Sequence, residues 1–195
     1  MIICLDNIYF EKLEKYVGKK LDFIKRENEI EFYEDVEIHY ILEEKDKIYS
    51  FYIVERGKRS KLADYFSEKE MKQELALTIK AFFGEKVDYS KSKEFDNIKS
   101  LEECKKLMDK YIEQEYYSIM NPEVMKINLE KEKEKYSIYF LNDNNEKKYI
   151  EKNIDISFAF SRFYNEACYL KWYFNIIKEY EMIFDDSIEN KNYMI

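Results

Sequence analysis

Val36-Glu37-Ile38-His39-Tyr40-Ile41-Leu42, then Glu43-Glu44-Lys45-Asp46-Lys47, then Ile48-Tyr49-Ser50-Phe51-Tyr52-Ile53-Val54: this stretch decides the fold class. In its first part Val36, Ile38, Tyr40 and Leu42 alternate with Glu37, His39, Ile41 and Glu43. Side chains in a strand point alternately to its two faces, so this period of two gives a strand with one buried face. The middle part is a polar turn. The last is a run of Tyr, Phe, Ile and Val, residues that fit a pleated, half-buried surface. The two runs form a hairpin, and upstream Leu21, Phe23, Ile30 and Phe32 alternate with charges in the same way.

Outward from the hairpin the signals become helical. Asp6 caps a helix over about 7–17, with Leu13, Tyr16 and Val17 on one face and Gly18 just past its end. Ser67-Glu68-Lys69-Glu70 has the spacing of a capping box, and the helix behind it stops at Gly84. Residues 85–98 are polar and irregular, a long connection. A second capping box, Ser100-Leu101-Glu102-Glu103, opens a helix carrying Cys104, Leu107, Met108, Tyr111, Ile112 and Ile119, expected to end at Pro122. Met125, Ile127 and Leu129 mark a strand, Tyr136 to Leu141 another, and Asn142-Asp143-Asn144-Asn145 a turn of residues that tolerate left-handed backbone. Tyr149 and Ile150 lie in the returning strand. An aromatic helix spans about 156–182, and its Tyr164, Tyr169, Trp172, Tyr173 and Tyr180 exceed one helical face. That helix is either buried on most sides or presents aromatics to a partner.

The expected class is α+β: antiparallel sheet or sheets with packed helices, in one compact domain over 1–195. Helix, strands, hairpin and helix occur in that order twice. Tyr49-Ser50-Phe51-Tyr52 echoes Tyr136-Ser137-Ile138-Tyr139, which suggests pseudo-repeat halves 1–84 and 99–184. Strands rich in Tyr, Lys and Glu also look alike by composition alone.

Composition narrows the function. Of 195 residues, 46% are hydrophobic and 17% aromatic, too many for a disordered chain. Three Gly and one Pro leave no flexible linker of the Gly/Ser or Pro type. No run of apolar residues is long enough to span a bilayer, and no basic region precedes an apolar stretch at the start. Cys4, Cys104 and Cys168 are odd in number and widely spaced, which fits buried free thiols in a reducing compartment. The expected location is the cytoplasm.

The net charge is −8, and residues 27–46 alone hold nine acids against one base, Lys45. A second acidic cluster comprises Glu179, Glu181, Asp185, Asp186 and Glu189. Such clusters repel phosphates and attract basic surfaces, which disfavours direct nucleic-acid binding and favours a basic protein partner. The expected contact residues are Glu29, Glu31, Glu34, Asp35 and Glu37, with Asp185 and Asp186 as a second patch. A solvated sheet face accounts for the same residues without a partner.

No catalytic set stands out. His39 is the only histidine, so a Ser-His-Asp or Cys-His arrangement or a zinc site would have no other imidazole to use. Three isolated glycines make no phosphate-binding loop. Pairs such as Glu34-Asp35 and Asp185-Asp186 arise readily in so acidic a chain. No cofactor or metal is expected. Glu55-Arg56-Gly57, at the end of the hairpin, is accounted for by an ion pair and a turn glycine.

The segment Tyr49 to Gly57, followed by a polar turn and a capped helix, resembles a segment of bacterial polymorphic-toxin and contact-dependent-inhibition immunity proteins. The resemblance covers about 35 of 195 residues, and Asn142-Asp143-Asn144 stands where a repeat of Glu55-Arg56-Gly57 would fall. It implies a small, acidic, cytoplasmic α+β protein, not an enzyme, that neutralises a toxin domain by binding it. No individual functional residue carries over. The alternatives are a phage-encoded inhibitor of a bacterial defence nuclease, an enzyme with an unrecognised carboxylate site, and an adaptor domain.

Overall fold

A computed structural model describes residues 5–33 and 37–188. Within them the chain forms two compact units, one of residues up to 86 together with 176–188, the other of residues 87–175.

The first unit opens with helix α1 (Asn7–Val17). The Asp6 side chain accepts from the Tyr9 N–H, and Gly18, left-handed at φ 85°, closes the helix. A five-stranded antiparallel meander follows: β1 (Asp22–Lys25), β2 (Glu29–Tyr33), β3 (Ile38–Lys45), β4 (Ile48–Glu55) and β5 (Lys58–Tyr65), adjacent in chain order. Helix α2 (Glu68–Phe83) comes next, its Glu70 N–H donating to the Ser67 hydroxyl. Phe23, Phe32, Tyr40, Leu42 and Phe51 share one sheet face by register. Helices cover that face: Phe10 of α1 stacks on Phe23 at 4.5 Å, and Phe82 of α2 on Tyr40 at 4.4 Å. Residues 176–188 complete this core. Tyr180 and Phe184 pack edge-on against Tyr16, whose hydroxyl donates to the Ile176 carbonyl at 2.8 Å. Lys80, buried on α2, donates to the Tyr16 carbonyl and pairs with Glu179 at 2.8 Å.

The second unit has a short 3-10 turn at Ser92–Phe95, then helix α3 (Leu101–Tyr111), capped by Ser100. Its sheet runs β6 (Tyr117–Ile119), β7 (Lys126–Glu132), β8 (Lys135–Leu141), β9 (Lys147–Ile154), with β6 parallel to β7 and the rest antiparallel. Helix α4 (Ile156–Phe184) begins here and ends in the first unit. It is buried on most sides within this unit: Phe160 packs on Tyr136, Phe163 on Tyr117, and Tyr164 stacks on Phe95 at 4.6 Å. Cys104 and Cys168 are buried free thiols; Cys4 lies outside the described residues.

Two elements differ from the sequence reading. The helix expected to reach Pro122 ends at Tyr111. Ile112 is extended, and Ile119 lies in β6. Glu113-Gln114-Glu115 interrupts the apolar helical repeat, and the aromatic pair Tyr116-Tyr117 favours a strand. Strand β5 stands where a polar turn was expected. Nearly all its residues are exposed, so no alternation marks it.

Candidate protein-docking face

The sheet face of the first unit turned away from α1 and α2 is built by register. It carries Glu29, Glu31 and Tyr33 from β2, His39, Ile41 and Glu43 from β3, Tyr52 from β4, and Arg59 and Lys61 from β5. Arg26, in the β1–β2 turn, reaches over it. Its guanidinium pairs with Glu29 at 2.5 Å and also with Glu31. The Tyr33 hydroxyl donates to the other Glu31 oxygen, and the His39 ring stacks on Tyr33 at 5.2 Å. Arg59 donates to Glu43 at 2.9 Å and lies 3.7 Å over the Tyr52 ring. Lys61 pairs with Asp64 at 2.9 Å, and Asp64 also accepts from Ser50.

Glu31 is only 7% exposed. Burial pushes its carboxyl up, but the bonds from Tyr33 and Arg26 outweigh this and hold it below the ordinary value. The same bonds push the Arg26 guanidinium and the Tyr33 phenol upward. His39 keeps a buried Nδ1 without a hydrogen-bond partner.

Within the acidic run at 27–46, Glu29 and Glu31 are met by Arg26 of the adjoining turn and Glu43 by Arg59 of β5. Arg26 pairs with Glu29 and Glu31 at one side of the face; on the other Arg59 pairs with Glu43 and Lys61 with Asp64, both cations near the Tyr52 ring. Glu37 lies just before β3 with its side chain 70% exposed, 3.7 Å from Arg56. Glu34 and Asp35 lie outside the described residues. Asp186 accepts from Gln73 of α2 at 2.8 Å and from Tyr180 at 3.2 Å, and Lys69 stands 3.8 Å away. Asp185 is exposed just past α4. Glu29 and Glu31 thus lie on the open face of the first unit's sheet, and Asp186 of the same unit lies against α2 on the other side; Glu189 lies outside the described residues. Sequence reasoning missed Arg26, Tyr33, Tyr52 and Arg59. Arg59 reaches the face only through β5, whose one local signal is the two-residue Arg56-Gly57 turn; Tyr52 is placed by its pairing with Ile41, and Arg26 and Tyr33 sit beside Glu31 by local spacing.

The first unit holds 23 Asp/Glu against 17 Lys/Arg, a net of −6; residues 87–175 hold 17 against 15, a net of −2. Among the described residues no group of three or more His, Cys, Asp or Glu side chains is placed to hold a metal ion. No helix among them is long and apolar enough to cross a membrane. No protein-family model matches the chain, and neither a curated protein nor a solved structure matches it.

Proposed function

We propose that this is an immunity-type protein that binds a cognate toxin domain and neutralises it. The open sheet face of the first unit is the docking surface, and the partner is a basic toxin or nuclease domain. One observation carries the reading: Arg26, Tyr33, Tyr52 and Arg59 are already held by carboxylates or rings on a broad sheet face. Tyr and Arg are the residue types that dominate binding energy at protein interfaces, and side chains fixed before association lose less entropy on binding. The net charge of −6 on this unit supports a basic partner, because complementary fields raise association rate and specificity. Glu29, Glu37 and Glu43 make the acidic contacts, while Glu31 holds Arg26 and Tyr33 in place. The resemblance around Tyr49 to Gly57 supports the role.

The test is capture of the tagged protein from its native host through moderate salt, followed by assay of whatever stays bound. The expected result is one basic toxin-like domain, held one to one and inactive in the complex. The combined change Glu29→Lys, Glu37→Lys and Tyr52→Ala should weaken that complex by about 100-fold, as loss of one anchor and two complementary charges implies. Unchanged affinity would remove the face from the interface. A partner left fully active would end the neutralising role.

A further inference from the structure

The second unit contains an open groove of about 530 Å³, remote in sequence from the docking face. One wall is the end of β9, with Glu151, Asn153 and Asp155 close by; the other is the start of α4, with Phe158, Arg162 and Asn165. Strand β9 is the edge of its sheet, and its pairing with β8 shifts register twice, between Tyr136 and Ile138 and between Ile138 and Tyr139. Each shift sets an extra residue on β9, and Asn153 is left-handed at φ 56°. Bulges of this kind bend an edge strand and re-aim its side chains.

The lining favours a donor-rich cation. Glu151 and Asp155 bring carboxylates to it. Asn165 keeps a buried Oδ1 with no hydrogen-bond partner, and a buried acceptor without a donor is the exception in folded proteins. Phe158 is 69% exposed on a helix that buries Phe160, Phe163 and Tyr164. Arg162 is matched by Glu166 at 3.1 Å and Glu151 at 3.7 Å, and Asp155 by Lys135 at 2.7 Å. The lining itself holds two carboxylates, Glu151 and Asp155, against one cation, Arg162, which leaves it acidic by one charge.

We infer that this groove takes the guanidinium of an arginine side chain on a protein partner. A guanidinium is planar, carries five N–H donors and stacks on aromatic faces. It places its plane on Phe158 and its charge beside Glu151 and Asp155. A carboxylate ligand meets two like charges there. The groove opens to solvent beside an edge strand, so a chain can continue on both sides of the arginine. Only this last step, a protein as the source of the guanidinium, rests on the binding role proposed above.

The test is an NMR titration of the full chain with acetyl-Gly-Arg-Gly-amide, its citrulline and glutamate counterparts, and free arginine. The blocked arginine peptide should shift the Phe158 ring and Asn165 amide signals with a Kd on the order of millimolar. The citrulline peptide should bind about tenfold more weakly, and Phe158→Ala should cost about tenfold while the remaining spectrum is unchanged. Asn165→Asp should tighten binding by adding a charge. Equal response to citrulline, preference for glutamate, or no response to any peptide would overturn the site. Tighter binding of free arginine would assign it to the amino acid and overturn the protein source. If a captured toxin domain binds the Phe158→Ala protein as tightly as the original, the groove has no part in that complex and the docking face stands. If arginine peptides bind but no partner is captured, the docking role fails and the guanidinium site stands.

Discussion

Asp109 and Glu31 are carboxylates whose charge the fold holds in different ways. Asp109, on α3, accepts from the Tyr117 hydroxyl at 2.5 Å, from Gln114 at 2.8 Å and from Lys105 at 2.9 Å. These bonds hold its pKa down to about 2. A carboxyl depressed in the folded state adds stability that is full above its ordinary value, 3.8 here, and is lost as pH falls through the folded value. The window is therefore about pH 4 to 2. The urea midpoint of the protein should fall across it, and that of Asp109→Asn should fall less. Equal slopes would mean that these bonds do not survive in solution. The side chain is about one-third exposed, so water screens part of the effect. Glu31 is buried instead, and burial pushes its carboxyl up against the two bonds that pull it down. Its acidity was legible in the sequence. Its bonds to Arg26 and Tyr33 are local, five and two residues along the chain, but its burial was not legible, because it depends on which strand becomes its neighbour.

The turns decide that neighbourhood. Arg56 and Gly57 are both left-handed, at φ 49° and 76°, and so are Asp46 and Lys47, at 54° and 65°. Two-residue turns of this hand match the twist of the strands they join. A Cβ added at Gly57 meets nothing within 4 Å, so Gly57→Ala should cost about 1–2 kcal/mol through backbone conformation alone. Urea unfolding measures this, and an unchanged midpoint would show that the turn tolerates the side chain. Elements with an alternating or helical repeat were readable: α1, α2, β3, β4, β7, β8 and α4 fall where residue spacing puts them. Strand β5 was not, since its residues bury almost nothing, and neither was the parallel β6–β7 pair, which joins residues across the loop that contains Pro122. The echo of Tyr49-Ser50-Phe51-Tyr52 in Tyr136-Ser137-Ile138-Tyr139 falls on β4 and β8, each the penultimate strand of its sheet. Pairing with the following strand shifts register inside both echoes.

Across the whole chain, charge and connectivity divide unevenly. The halves of the sequence each carry −4, whereas the first compact unit carries −6, because residues 176–188 bring Glu179, Glu181, Asp185 and Asp186 to it. Among the described residues the second unit is contiguous over 87–175; the first is not. A fragment of residues 87–175 should therefore fold alone, whereas residues 1–86 lack Tyr180, Phe184 and Glu179 and should not reach a fixed core. Circular dichroism and amide dispersion in NMR spectra of the two fragments would show this. A well-dispersed spectrum for 1–86 would mean that the final segment is dispensable. The discontinuity also sets an order of events at the ribosome. About 100 residues must be made between Lys86 and the partners of Tyr16, roughly 5–20 s at about 5–20 residues per second. For that interval the five-stranded meander waits with Tyr16 uncovered, while the later-made unit can finish first. The nascent first unit is thus the part of this protein most exposed to chaperones and proteases, and it is also the part proposed to meet the toxin.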